Sequence, residues 1–294
     1  VAEGARPLEL GWLHDHPLPQ PQGETDKNAR GRVIVLGGCV TVPGGVRLTA
    51  EAALRAGAGK VRVGTVEPAA LPLGVLIPEA GVVGLPCAGD GEIDARGGLP
   101  GIDLDRCDAV VLGPAMSSAE RASQLVAAVL DQPCSAAMLI DAAALMDLAA
   151  HAERLRALPQ PPLLTPHTGE MAGLLEWDAD RIAADRPAAA REAAQRFGAV
   201  VVLKGSLSFV ADPDGALFCY AGGNVGMATG GSGDVLAGIA GALLARGCTP
   251  LQAALWSVWL HGEAGRRCVE TIGPLGFLAR DMLGFIPPVM RSAG

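Results

Sequence analysis

The sequence predicts an α/β protein: a doubly wound, mostly parallel sheet sandwiched by helices, with an antiparallel hairpin near the sheet edge. Three observations lead there. Short apolar runs that read as strands alternate with helix-period segments along most of the chain. Half of the 294 residues are hydrophobic but only 3% are aromatic, so the core must be built from Ala, Val, Leu and Ile, as in buried parallel strands. Near residue 210, LSFVA (207–211) and ALFCY (216–220) flank Asp-Pro-Asp-Gly, a good hairpin turn.

The elements follow in order. Residues 1–30 carry prolines and charges with little periodicity and read as an N-terminal arm. RVIVL (32–36) is a buried strand, and the helix after it spaces Leu48, Ala52 and Arg55 before Gly57 and Gly59 stop it. VRVGT (61–65), GVVGL (81–85), AVVLG (109–113), AMLID (137–141), PLLT (162–165) and AVVVLKG (199–205) read as further strands. Helices are expected over 119–131, after PHTGE, over 180–197, after GGSGD and around HGEAG. No linker interrupts the pattern, so 31–294 reads as one domain. Gly37, Gly113, Asp141, His167 and Gly205 all follow strand ends. In an open parallel sheet those ends share one edge, and ligands bind along it.

A net charge of −8 argues against nucleic-acid binding. The longest uncharged run, 215–233, is too rich in glycine to span a membrane, and no secretory leader is evident. Seven cysteines without a CxxC pair read as reduced thiols of a cytoplasmic protein. No second histidine stands at metal spacing from His167, so no protein-held metal is expected.

The most informative stretch is GGNVGMATGGSGDVLAGIAGALLARG (222–247). Beyond Asp234 the apolar positions Leu236, Ile239, Ala240 and Leu243 follow helical spacing, while Gly238, Gly241 and Ala242 form a face small enough for close packing. A helix starting near Ser232 presents free N–H groups and a positive dipole end to a glycine loop, which is an anion site. A helix cap alone needs one glycine, and six stand in residues 222–233. There is no GKS or GKT, so this is not a Walker loop. A carboxylate so close to a helix start is expected to have a lowered pKa.

This loop resembles the anion-hole segment of ribokinase-like enzymes and, more narrowly, of the ADP/ATP-dependent NAD(P)H-hydrate dehydratases. The same order of segments carries the resemblance over residues 31 to 285: GRVIVLGG, VPGGVRLTAEAALRAGAGKV, VVLGPAM, LIDAAAL, LLTPHTGEM, VVLKGSLSFVADPDG and LHGEAG. It implies a ribokinase-like fold. It also implies repair of hydrated NADH or NADPH, in which ADP or ATP with Mg2+ phosphorylates the added hydroxyl and phosphate is then eliminated. Asp234 would be catalytic and would also meet the substrate. Lys204, Gly205, Ser206, Leu207 and Ser208, with Gly230, Gly231, Ser232 and Gly233, would bind the nucleotide. Gly45, Gly113, Ala115 and His167 would meet the hydrated dinucleotide. A homo-oligomer, in this family a tetramer, and a functional partner, NAD(P)H-hydrate epimerase, are implied as well. Apolar positions on the tryptophan helix (Leu255, Val258, Trp259) also make assembly plausible.

The chain departs from the family's pattern at Ala115 and Ser117, where glycine is usual, at Ala143, where a second aspartate is frequent, and at Leu207. From the residues alone, His167 reads equally as a loop residue beside a helix cap, Lys204 as a strand-end lysine, and His261 and Glu263 as ordinary helix-face groups. A small-molecule kinase of the hydroxyethylthiazole-kinase type would need the same loop and aspartate. A non-catalytic nucleotide-binding protein would not need Asp234.

Overall fold

The computed structural model describes residues 4–20 and 26–293. Its strands are β1 (Arg6–Pro7), β2 (Arg32–Leu36), β3 (Lys60–Val66), β4 (Ala80–Leu85), β5 (Ala109–Leu112), β6 (Ala137–Ile140), β7 (Leu163–Leu164), β8 (Val200–Leu203), β9 (Ser208–Ala211) and β10 (Leu217–Tyr220). They form one sheet in the order β1-β10-β9-β8-β7-β6-β5-β2-β3-β4. Neighbours are parallel except around β9, which runs antiparallel to both β8 and β10. The predicted hairpin is therefore present, but β1 lies outside it.

Part of the stretch read as an arm thus belongs to the sheet: Arg6 pairs with Phe218 and Pro7 with Cys219. Residues 1–3 and 21–25 of that stretch lie outside the described residues.

The helices are α1 (Leu10–Asp15), α2 (Gly45–Arg55), α3 (Glu67–Leu76), α4 (Ala119–Leu130), α5 (Ala152–Arg156), α6 (Thr168–Leu175), α7 (Ala179–Ala184), α8 (Arg186–Phe197), α9 (Ser232–Ala245), α10 (Pro250–Thr271), α11 (Ala279–Leu283) and α12 (Ile286–Ala293). The central strands are buried on both faces. Val33 and Val35 enter one hydrophobic core while Ile34 and Leu36 enter the other. This is why they read as unbroken apolar runs.

The helix expected over 180–197 is two helices. Asp185 ends α7 and accepts the Ala188 N–H at 3.0 Å, capping α8. Pro187 follows at the start of α8, the part of a helix that tolerates proline.

Helix α9 is buried almost all round and packs against α2, α10 and β5. Its glycines allow the approach: a Cβ at Gly238 would overlap the Thr49 carbonyl, and one at Gly241 the Val111 side chain. The tryptophan helix, α10, is covered by its own chain. Trp256 Nε1 donates to the His16 carbonyl at 2.8 Å, and Leu8, Leu13 and Leu18 join the same core. Leu255 and Val258 are therefore core residues of this chain, while Trp259 is half-buried.

Five of the seven cysteines are buried, and all seven are free thiols. Among the described residues no helix is long and apolar enough to cross a membrane.

Candidate active site

The strand exits converge on one edge. The Gly38 N–H donates to the Pro114 carbonyl at 2.8 Å, joining the exits of β2 and β5. After β6 comes Asp141, 2% exposed, whose Oδ1 accepts from Thr165 Oγ1 and from Lys204 Nζ, each at 2.8 Å. These contacts draw the exits of β7 and β8 to the same point. Lys204 Nζ also lies 3.4 Å from Glu170 Oε2. A Cβ at Gly233 would sit 3.5 Å from that ammonium, so Lys204 lies directly against the first turn of α9.

The start of α9 is open to a ligand. Gly231 occupies the N-cap at φ +88° and supplies no side-chain acceptor. Among the described residues the N–H groups of Gly230, Gly231, Gly233 and Asp234 find no protein acceptor. These are the orphan donors of a helix start, with the dipole behind them. Ser232 is different. It is 8% exposed and its hydroxyl is bonded to His261 Nε2 at 3.1 Å, away from the glycine loop's free N–H groups. Burial lowers the pKa of His261 to about 4, so the imidazole is neutral. His261 thus has a partner at the site, a relation that the spacing of HGEAG did not disclose.

Asp234 corrects one expectation. Its pKa is raised to about 7, first by burial and then by Asp141, against the opposing pull of Lys204. The helix start does not make it a weak base. It is a carboxylate poised near neutral pH, as general bases require. Lys204 remains a cation: burial alone would depress its pKa, but Asp141 and Glu170 more than offset it.

Gly45 begins α2 opposite Asp234. A Cβ there would overlap the Ala115 side chain and come 3.3 Å from Asp234 Oδ2. Ala115 takes φ +56°, a left-handed conformation that accounts for the glycine usual at its position. Ser117 does not crowd this space. Its N–H and Oγ bond to Glu92 Oε1 at 2.9 and 2.5 Å. Gly113, at φ +98°, could not carry a side chain without striking the Asp141 carbonyl.

His167 is itself the cap of α6. Its Nδ1 accepts from the N–H groups of Gly169 and Glu170 at 3.0 and 3.1 Å, and Glu170 Oε2 accepts the His167 N–H at 2.7 Å. Nε2 lies 3.3 Å from Glu170 Oε1 on a side chain that is 58% exposed. The cap and an accessible ring edge therefore coexist.

The turn from Lys204 to Ser208 joins β8 to β9. Gly205 and Ser206 are exposed, Leu207 is half-buried, and Ser208 Oγ donates to the Gly205 carbonyl at 3.1 Å.

Sequence reasoning gave no site role to Asp141, Glu170, Arg186 or His261, although it set Asp141 among the strand ends and read His261 as a helix-face group. A capping-box spacing from His167 to Glu170 was a signal for the second. Arg186, which donates to the Thr168 hydroxyl and the Lys204 carbonyl, had none. Ala143, where a second aspartate is frequent, is a buried apolar residue.

A family model described as NAD(P)H-hydrate dehydratase matches residues 33–288. The chain is 43% identical to an ADP-dependent (S)-NAD(P)H-hydrate dehydratase of Xanthomonas campestris pv. campestris, over 97% of this chain and 96% of that one. It is 35% identical to a bifunctional NAD(P)H-hydrate repair enzyme of Moorella thermoacetica over 98% of this chain, and spans 54% of that relative's length. The structure resembles that of a Bacillus subtilis ADP/ATP-dependent NAD(P)H-hydrate dehydratase co-crystallised with ATP and Mg2+, with a TM-score of 0.85 and 27% identity over the whole of both chains. A hydroxyethylthiazole kinase from Pyrococcus horikoshii, at TM-score 0.56 and 17% identity over 89% of each chain, shares the ribokinase-like fold alone. With its motifs matched in order and its full length aligned to such relatives, the chain belongs to the NAD(P)H-hydrate dehydratase family.

Proposed function

We propose that this chain is a hydro-lyase that dehydrates hydrated NADH or NADPH at the expense of ADP or ATP. The observation that carries the reading is Asp234. A carboxylate with a pKa of about 7 stands beside free helix N–H groups and a half-buried lysine, and across from Gly45. In this reading the nucleotide gives its terminal phosphoryl group to the ring hydroxyl and leaves as AMP or ADP, and loss of phosphate together with a proton from the adjacent ring carbon restores the double bond of the reduced nicotinamide.

The residues divide the work. Asp234 accepts the hydroxyl proton as the oxygen attacks. The N–H groups of Gly233 and Asp234 stabilise charge on the transferred phosphoryl oxygens. Lys204 adds a fixed positive charge behind them. The turn 204–208 holds the nucleotide, and Gly45, Gly113, Ala115 and His167 border the dinucleotide. Phosphoryl transfer depends chiefly on such positioning and electrostatics.

Among the described residues no group of three His, Cys, Asp or Glu is arranged to hold a metal. Mg2+ keeps several waters and prefers phosphates, so it enters here with the nucleotide, and no side chain is assigned as its ligand. The kinase alternative shares only the phosphoryl-transfer half of this chemistry and has a fold-level likeness behind it.

A cytoplasmic setting, a homo-oligomer and an NAD(P)H-hydrate epimerase as functional partner complete the proposal. The bifunctional relatives support the last of these.

The test is optical. ADP or ATP with Mg2+ is added to enzymatically prepared NADH hydrate, and absorbance is followed at the reduced-nicotinamide band. Recovery with either nucleotide is expected, and none with both rejects the reading.

A further inference from the structure

Arg186 is an odd residue at the first position of α8. A cation there opposes the helix dipole. It is half-buried, and among the described residues it has no carboxylate within ion-pair distance. A guanidinium without a counter-charge in a partly desolvated place must be satisfied by hydrogen bonds.

The satisfaction comes from two segments of the candidate site. Nη1 donates to Thr168 Oγ1 at 2.8 Å, in the first turn of α6 between its cap His167 and Glu170. Nη2 donates to the carbonyls of Lys204 at 2.9 Å, Leu203 at 3.3 Å and Leu207 at 3.4 Å. The guanidinium passes so close to the turn that a Cβ at Gly205 would sit 2.5 Å from Nη2. With these carbonyls drawn to one side, the N–H groups of Ser206 and Leu207 have no acceptor among the described residues.

We propose that Arg186 is the positioning residue of the nucleotide turn, gathering the carbonyls of Leu203, Lys204 and Leu207 and tying that turn to Thr168 at the start of α6, next to His167. The inference rests on the dehydratase reading, which gives the turn 204–208 to the nucleotide. It also accounts for the turn at Leu207. The backbone there is shaped by the guanidinium fork beneath it, while the Leu207 side chain is half-buried against the core. Lysine could replace the charge of Arg186 but not its planar fork, which reaches four oxygens from two nitrogens.

The test uses the full chain with ADP as the probe. Calorimetric titration compares wild type with Arg186→Lys and Arg186→Ala, and steady-state kinetics separates KM from kcat. ADP binding is expected to weaken about tenfold or more in both variants, the scale of lost charge-assisted hydrogen bonds. KM for the nucleotide should rise by the same factor, and kcat at saturation should change less. A folded Arg186→Lys protein with wild-type ADP affinity and KM overturns the inference.

If both variants fail to fold, amide hydrogen exchange of wild type decides. ADP should slow exchange at 204–208 and 167–170 together, and protection confined to 204–208 removes the tie. Wild type that neither binds ADP nor restores NADH defeats the dehydratase reading as well. Normal wild-type turnover beside an unperturbed Arg186→Lys defeats this inference alone.

Discussion

Buried Asp141 and half-buried Lys204 form an ion pair, 2.8 Å from Oδ1 to Nζ, against the first turn of α9. Asp141 raises the pKa of Asp234 and Lys204 lowers it, so the pair tunes the proposed base from both sides. Asp141→Asn should shift the acid limb of the pH–kcat profile to lower pH. Lys204→Met should shift it upward. The lysine variant should also lose about 3–5 kcal/mol of stability, because it leaves carboxylates buried without their cation. Limbs that stay in place in both variants would show that Asp234 is not the titrating group.

Asp234→Asn should lower kcat by about 10²–10⁴, the usual contribution of a general base, while ADP still binds. Stability should move the other way. The folded pKa of about 7 exceeds the ordinary aspartate value of 3.8. A raised carboxyl pKa favours the folded state at low pH, and that contribution is lost as pH rises through 7. The Asn variant should therefore melt above wild type at pH 8, with the difference shrinking toward pH 4. Thermal melts across that range check the sign, and a constant offset would contradict it.

Gly45 and Ala115 compete for one space. Gly45→Ala should impair turnover and stability together, since the new methyl would overlap Ala115 and approach Asp234. Ala115→Gly should stabilise the chain by up to about 1 kcal/mol by relieving its left-handed backbone. The double variant should recover much of what Gly45→Ala loses, giving a coupling of about 0.5–3 kcal/mol. Additive losses in a double-mutant cycle would mean that the two positions do not share the constraint.

His167 serves as a cap and, in the proposed function, as a substrate contact, and two substitutions separate these roles. His167→Ala removes the acceptor for Gly169 and Glu170, at a cost of about 1 kcal/mol. His167→Asn keeps a capping acceptor but loses the exposed ring edge. The Asn variant should therefore melt near wild type while its KM for the hydrated dinucleotide rises. An unchanged KM in both variants would leave His167 with the cap alone.

Most of the fold was legible because its determinants are local. Strands such as RVIVL and AVVLG are apolar on both faces, glycines stop α2, and Asp-Pro-Asp-Gly turns the hairpin. The exceptions have local causes with tertiary outcomes. The 180–197 segment has one helical composition, but Asp185 caps and Pro187 restarts the helix. The first thirty residues lack periodicity because β1 is only two residues long and depends on β10 for its pairing. Of the candidate site, the glycine loop and the strand-end positions could be read directly, since an anion site needs orphan N–H groups and close backbone approach.

By itself, the sequence determined the alternation of elements, the edge where ligands gather, and the placement of Asp234 at a helix start behind glycines. Only the tertiary structure decided what kind of acid Asp234 is. A helix start in water would lower its pKa, but burial beside Asp141 raises it. That reversal depends on burial and on a partner 93 positions away in the chain, and it prevails against Lys204, which is itself held by Asp141 and Glu170. Charge interactions depend on distance and on exclusion of water, and neither is set until the strands have been brought side by side.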